Sequence, residues 1–255
     1  MLTSDRLRQV VVTLSEIFCV VGTLYGIGVI GTRVEEVSGG ALAADATLLA
    51  PAVRAFSIWS VIYLGLFAYT IWQWLPSSTT DPRARRTGWL AAASMVLNAV
   101  WLLVTQVGWI WVSVLVIVAL LAVLARIMYL LNQSQASGPL ESIALDSTFG
   151  LYLGWVAVAT CANVTAAFVN SGVNLGGLNE WLAAVVLLVA GGVGVFLAAT
   201  LGARMTIAAA MAWGIGWIAV GRLAVGPISV ITGVTAIIAA LAIVASVFYV
   251  RRVTA

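Results

Sequence analysis

The sequence predicts an all-α protein, a polytopic membrane bundle of about eight transmembrane helices. Composition is the first observation that supports this fold class: 63% of the 255 residues are hydrophobic and only 8% are charged. In soluble domains about a quarter of the residues are charged. The mean hydropathy of +1.12 is the second. The third is that the apolar residues form stretches of roughly 20 residues, the length that a helix needs to cross a bilayer.

Eight such stretches follow one another along the chain. The predicted spans are residues 10–31, 56–75, 89–107, 110–131, 148–169, 181–201, 206–223 and 228–249. Only Gly108 and Trp109 separate the third span from the fourth, which predicts a tight antiparallel hairpin. Gly226 and Pro227 mark the turn between the last two spans.

Arginine placement predicts the orientation of the protein in the plasma membrane. With the N-terminus in the cytoplasm, nine arginines lie inside and only Arg33, Arg54 and Arg222 lie outside. This distribution follows the positive-inside rule and places both termini in the cytoplasm. The longest outer connection is then 32–55. A loop of this length is either a lid over a binding site or a solvated connector.

Polar and aromatic side chains inside the predicted spans are the candidates for a functional site. A carboxamide in hydrocarbon is costly without a partner, so Asn98 and Asn163 should face protein or a cavity. Trp101 follows Asn98 by three positions, and Trp155, Ala159 and Asn163 recur every four, so each set shares one helical face. Such a stripe either lines a slot for a flat ligand or lets helices pack closely.

Glu16 is a secondary candidate, because a carboxylate inside a membrane span often marks a functional site. The alternatives are that it reaches toward the inner membrane interface or that it pairs with Arg86 or Arg126. The chain contains no histidine, the residue that most often binds metals and shuttles protons near neutral pH. It also contains no catalytic motif that we could identify. We therefore expect no enzymatic activity, no metal and no required cofactor.

Three motifs, on the predicted second, third and fifth helices, resemble one family. The stretch "LGWVAVATCANVTAAFV", with Trp155, Ala159 and Asn163, resembles the fifth helix of the TspO/MBR family, the tryptophan-rich sensory proteins related to the mitochondrial translocator protein. The stretch "LNAVW" resembles a motif of that family's third helix. The stretch "APAVRAFSIWSVIYLGLFAYTIWQ", with Trp59 and Tyr63, resembles the start of its second helix.

The resemblance covers roughly residues 10–172 and implies two parts of the chain. Residues 1–172 would form a TspO/MBR-like five-helix bundle, and 173–255 an additional three-helix membrane segment. The family implies a receptor or carrier for a hydrophobic planar ligand: a porphyrin or other tetrapyrrole, or a sterol-like lipid. The ligand-binding residues that it implies are Trp59, Tyr63, Asn98, Trp101, Trp155, Ala159 and Asn163.

The expected partners are membrane lipids and a hydrophobic small molecule, with a homodimer as an open alternative. The small positive charge of +3 forms no clustered basic face, so we expect no nucleic-acid partner. Two other functions stay open: an ion-coupled secondary transporter of a small substrate, and a structural or signalling membrane subunit. The family is also linked to porphyrin breakdown, although no residue here indicates catalysis.

Overall fold

The computed structural model describes residues 2–202 and 204–254, and all regular secondary structure in those residues is helical. Eight helices in that part of the chain are long and apolar enough to cross a membrane, which confirms the predicted bundle. They are α1 Leu2–Gly26, α2 Ile58–Trp72, α3 Pro82–Gln106, α4 Ile110–Asn132, α5 Pro139–Asn170, α6 Leu178–Thr200, α7 Met205–Val225 and α8 Val230–Thr254.

Several helices extend beyond the apolar stretches that predicted them. The starts of α1, α3 and α5 lie well before the predicted positions, at Leu2, Pro82 and Pro139. The start of α3 shows why: the Asp81 carboxylate accepts a 2.7 Å hydrogen bond from the Ala84 backbone N–H, and Pro82 occupies the first turn. These polar first turns belong to the helices, although hydropathy alone does not include them.

Five helices close into a ring. The helix α1 packs along α3, α3 along α4 and α4 along α5, while α2 contacts both α5 and α1. The backbones of α1 and α3 approach closely, since a Cβ atom built on Gly22 would lie 2.8 Å from the Cα atom of Ala99. Small residues at such contacts are typical of membrane helices.

The last three helices attach to this ring through α7, which packs along α5, while α8 packs along both α7 and α6. The α5–α7 contact depends on Gly154, where an added Cβ atom would collide with the Ile207 carbonyl oxygen. The division of the chain after residue 172 stays a prediction.

We call the two sides of the bundle the terminal side, where α1, α3, α5 and α7 begin, and the loop side, which carries residues 27–52. An ion-pair cluster ties helices together on the terminal side. Arg83 of α3 contacts Glu141 at 2.7 Å and Asp146 at 2.6 Å, both at the start of α5. Arg204, just before α7, also pairs with Asp146. These contacts fix the starts of three helices relative to one another.

Candidate ligand-binding site

An aromatic cluster joins α2 to α5 inside the ring. Trp59 stacks on Tyr63 of the same helix, with ring centroids 5.2 Å apart. It also meets the rings of Tyr152 and Trp155 edge-on, at 5.8 and 6.1 Å. Phe56 adds a further edge-on contact to Trp155 at 5.7 Å. Aromatic pairs favour these separations and angles, so the cluster holds α2 against α5.

Asn98 connects this cluster to α1 and α3. Its side chain is 1% exposed. The Nδ2 group donates hydrogen bonds to the Tyr63 hydroxyl at 3.0 Å and to the Cys19 sulfur at 3.4 Å. The amide that the sequence singled out therefore faces protein, as a carboxamide in an apolar layer must.

Asn163 forms a second polar cluster with α3 and α4. Its Oδ1 atom accepts a 2.8 Å hydrogen bond from the indole N–H of Trp101, and its Nδ2 group donates to the Ser113 hydroxyl at 3.0 Å. Asn163 itself is buried, with 2% of its surface exposed. Trp101 thus turns its polar edge toward the interior of the ring.

The seven residues implied by the resemblance fall into these two clusters, with Ala159 between them on α5. Trp155 and Asn163 share α5, but the first contacts α2 and the second contacts α3 and α4. Trp59, Tyr63, Trp101 and Ala159 all keep part of their surface accessible, whereas Trp155 is buried and its indole N–H has no partner among the described residues.

Glu16 lies on the same side of α1 as Cys19, and 4% of its surface is exposed. Cys19 accepts the hydrogen bond from Asn98, so this face of α1 packs toward α3 and the aromatic cluster. The alternative pairing with Arg126 is not formed among the described residues, where that guanidinium lies over the Tyr129 ring, 5.2 Å from its centroid. Nor does the structure pair Glu16 with Arg86, as the ion pairs among the described residues show.

Sequence reasoning missed four members of the two clusters: Cys19, Phe56, Ser113 and Tyr152. Ser113 is a lone hydroxyl in the apolar run "GWIWVSVLVIV", and Tyr152 precedes Trp155 by three positions on one helical face. Both signals were present in the sequence. Their partners, however, lie on other helices, and no spacing within one helix identifies them.

A pocket of about 370 Å³ lies on the loop side, between loop residues within 39–46 and the end of α5 at Ala166, Val169 and Asn170. Ala166 follows Asn163 by less than one helical turn, so the pocket adjoins the amide cluster. The loop packs against the ring here, since Ala41 and Leu42 contact a small core formed by α4 and α5.

The same loop is held by α7. The Ala52 backbone N–H donates to the Trp217 carbonyl at 3.1 Å, and the Trp213 indole N–H donates to the Ala55 carbonyl at 2.9 Å. Arg222, which the sequence placed among the outer arginines, is completely buried. The helix α7 therefore anchors this loop.

Arg222 binds the loop through backbone carbonyl groups. Its Nη1 atom donates to Thr47 at 2.8 Å, and its Nη2 atom donates to Ala44 at 3.0 Å and to Gly226 at 2.6 Å. It forms no ion pair with a carboxylate in the described part of the chain. Hydrogen bonds from a charged donor are stronger than neutral ones, so this contact is the main polar fastening of the loop.

These features define a polytopic helical membrane protein with buried aromatic and amide clusters between five of its helices. The chain belongs to the family of TSPO-like proteins, whose family model matches residues 9–249. This confirms the predicted family, and the match continues past residue 172 into α8. No curated protein and no solved structure matches the chain.

Proposed function

We propose that this protein is a membrane receptor or carrier that binds a hydrophobic planar ligand between α2, α3 and α5. A porphyrin or other tetrapyrrole, or a sterol-like lipid, is the ligand class. The observation that carries the proposal is the placement of Trp59, which contacts three other aromatic rings and still keeps part of its surface accessible. An indole face of this kind offers stacking or edge-on contact to a flat π system.

The two buried asparagines suit this role because they make the interior of the ring polar at two defined points and leave it apolar elsewhere. Asn98 and Asn163 are held by Tyr63, Trp101 and Ser113. Ligand sites are usually apolar, with a few fixed polar groups that orient the ligand. Ala159 lies between the clusters on α5. Its side chain is only a methyl group, so it takes up little of the space that a flat molecule would need there.

The first outer loop would act as the lid of this site. It covers the pocket beside the end of α5 and is fastened to α7 through Trp213 and Arg222. We also propose that the protein acts by binding rather than by catalysis, and that it lies in the plasma membrane with both termini in the cytoplasm. The arginine distribution supports this orientation.

Equilibrium binding of protoporphyrin IX tests the proposal. The protein is placed in phosphatidylcholine nanodiscs, and bound porphyrin is followed by its own absorbance, with empty nanodiscs as the background. We expect saturable binding that weakens about tenfold in Trp59→Ala, since one aromatic contact is worth about 0.5–1.5 kcal/mol beyond area burial.

The matched control is Trp181→Ala, which removes an indole from α6 that is 60% exposed. It should bind like the wild type. Thermal unfolding of each variant separates loss of binding from loss of fold. Non-saturable binding, or equal affinity in both tryptophan variants, would contradict the proposal.

The ion-coupled transporter draws support from one observation, the buried carboxylate of Glu16 on α1. Membrane-embedded acids are the usual proton carriers of transporters. Accumulation of a substrate in proteoliposomes, driven by an imposed proton gradient and lost in Glu16→Gln, would favour this function over a receptor.

A further inference from the structure

Glu16 is a buried carboxylate that forms no ion pair among the described residues. Its Oε2 atom is inaccessible and has no hydrogen-bond partner among the described residues, and the whole side chain is 4% exposed. Two arginines at the starts of α1 and α3 pair with another carboxylate: Arg8 lies 3.1 Å and Arg85 lies 2.6 Å from Asp5. An unpaired carboxylate in an apolar layer is strongly unfavourable.

The position of this carboxylate relates it to the aromatic cluster. Glu16 precedes Cys19 by three positions on one face of α1, and the Cys19 sulfur accepts a 3.4 Å hydrogen bond from Asn98, which also donates to the Tyr63 hydroxyl. The Tyr63 ring in turn stacks on Trp59, with ring centroids 5.2 Å apart. The carboxylate therefore faces the interior of the ring, at the wall of the proposed binding site, and not the lipid around α1.

We infer that the ligand carries a cationic nitrogen on its flat apolar body, and that Glu16 is the counter-ion of that nitrogen. The inference rests on the proposed function and adds to it a preference: flat molecules with a protonated amine or amidinium group should bind more tightly than uncharged or anionic members of the same ligand class. The surrounding rings fit the same chemistry, because tyrosine and tryptophan faces attract cations. A bound cation would give Oε2 the partner that the chain does not provide.

Two flat tricyclic probes test this inference. 9-Aminoacridine is a cation at pH 7.5, whereas acridine, which has the same ring system, is neutral. Both are titrated into the full-length protein in phosphatidylcholine nanodiscs, and binding is followed by probe fluorescence. We expect the wild type to bind 9-aminoacridine about ten- to a hundredfold more tightly than acridine, as a hydrogen bond to a charged group implies.

The variant Glu16→Gln keeps the shape of the side chain and removes its charge. It should bind 9-aminoacridine only as tightly as acridine, with the affinity for acridine unchanged. Glu180→Gln, at the start of α6 on the loop side, removes a carboxylate far from the ring and should keep the wild-type preference. If Glu16→Gln does not fold, the affinities of the wild type for the two probes still measure its preference for the cation.

Equal affinities of the wild type for the two probes, or a preference that survives in Glu16→Gln, would overturn the inference. Saturable protoporphyrin binding in the same nanodiscs would then leave the proposed function standing. Absence of saturable binding for the porphyrin and for both acridines would overturn both.

Discussion

Substitution of Gly154 by leucine is expected to separate α7 from α5 and to unfold much of the bundle. A Cβ atom at this position would collide with the Ile207 carbonyl and would lie 2.9 Å from the Ala210 Cβ atom. One of these neighbours is backbone, which cannot rotate away, so the two helices must move apart. Overpacking costs about 1–3 kcal/mol in ordinary cores and more where the backbone must move. We therefore expect the free energy of unfolding to fall by about 3 kcal/mol or more.

Gly216→Leu is the matched control, because Gly216 lies on α7 and a Cβ atom there would meet nothing within 4 Å. Thermal unfolding in detergent, followed by far-ultraviolet circular dichroism, measures both variants. Gly216→Leu should unfold within a few degrees of the wild type and Gly154→Leu far below it. Indistinguishable unfolding of the two variants would show that the α5–α7 contact is not as close as described.

Replacement of Arg222 by methionine is expected to release the loop of residues 27–52. The substitution keeps an unbranched apolar side chain but removes the guanidinium, and it leaves the carbonyl groups of Ala44, Thr47 and Gly226 without the donors that now bind them. Hydrogen bonds to charged groups contribute about 1.5–3 kcal/mol each. Since water can replace some of them, we expect a loss of about 3 kcal/mol in the free energy of unfolding.

Arg222→Met should affect hydrogen exchange in the loop more than it affects the stability of the whole bundle. Hydrogen–deuterium exchange, read by mass spectrometry on peptides from residues 41–52, should become much faster in Arg222→Met, while the peptides of α3 stay protected. The control is Arg33→Met, because Arg33 lies in the same loop and its 3.6 Å pair with Glu35 is solvent-exposed. Exposed pairs contribute about 0–1 kcal/mol. Equal exchange in both variants would contradict the fastening role of Arg222.

Much of the fold could be predicted from the sequence because a bilayer imposes the length and apolar character of each span. The helix starts could not, because charged first turns such as the one at Arg83 are stabilised by partners on other helices, here Glu141 and Asp146. The burial of Arg222 was hidden for the same reason. An arginine at the end of a span is typical of a solvated loop, and only tertiary structure supplies its carbonyl partners.

The candidate site could also be predicted only in part, helix by helix. Spacing along α5 placed Trp155, Ala159 and Asn163 on one face. It could not indicate that Trp155 contacts α2 whereas Asn163 contacts α3 and α4. The residues that complete the clusters come from helices that are distant in sequence, so only the packing of the ring shows which polar atoms meet.

The central claim is that a flat ligand binds inside the ring, between the aromatic and amide clusters. A structure of the protein in nanodiscs, determined by electron cryo-microscopy with saturating protoporphyrin IX, tests it most directly. We expect planar density bounded by Trp59, Trp101 and Ala159, with the loop of residues 27–52 closed above it. Density only on the lipid-facing surface, with these side chains unchanged from the ligand-free protein, would contradict it.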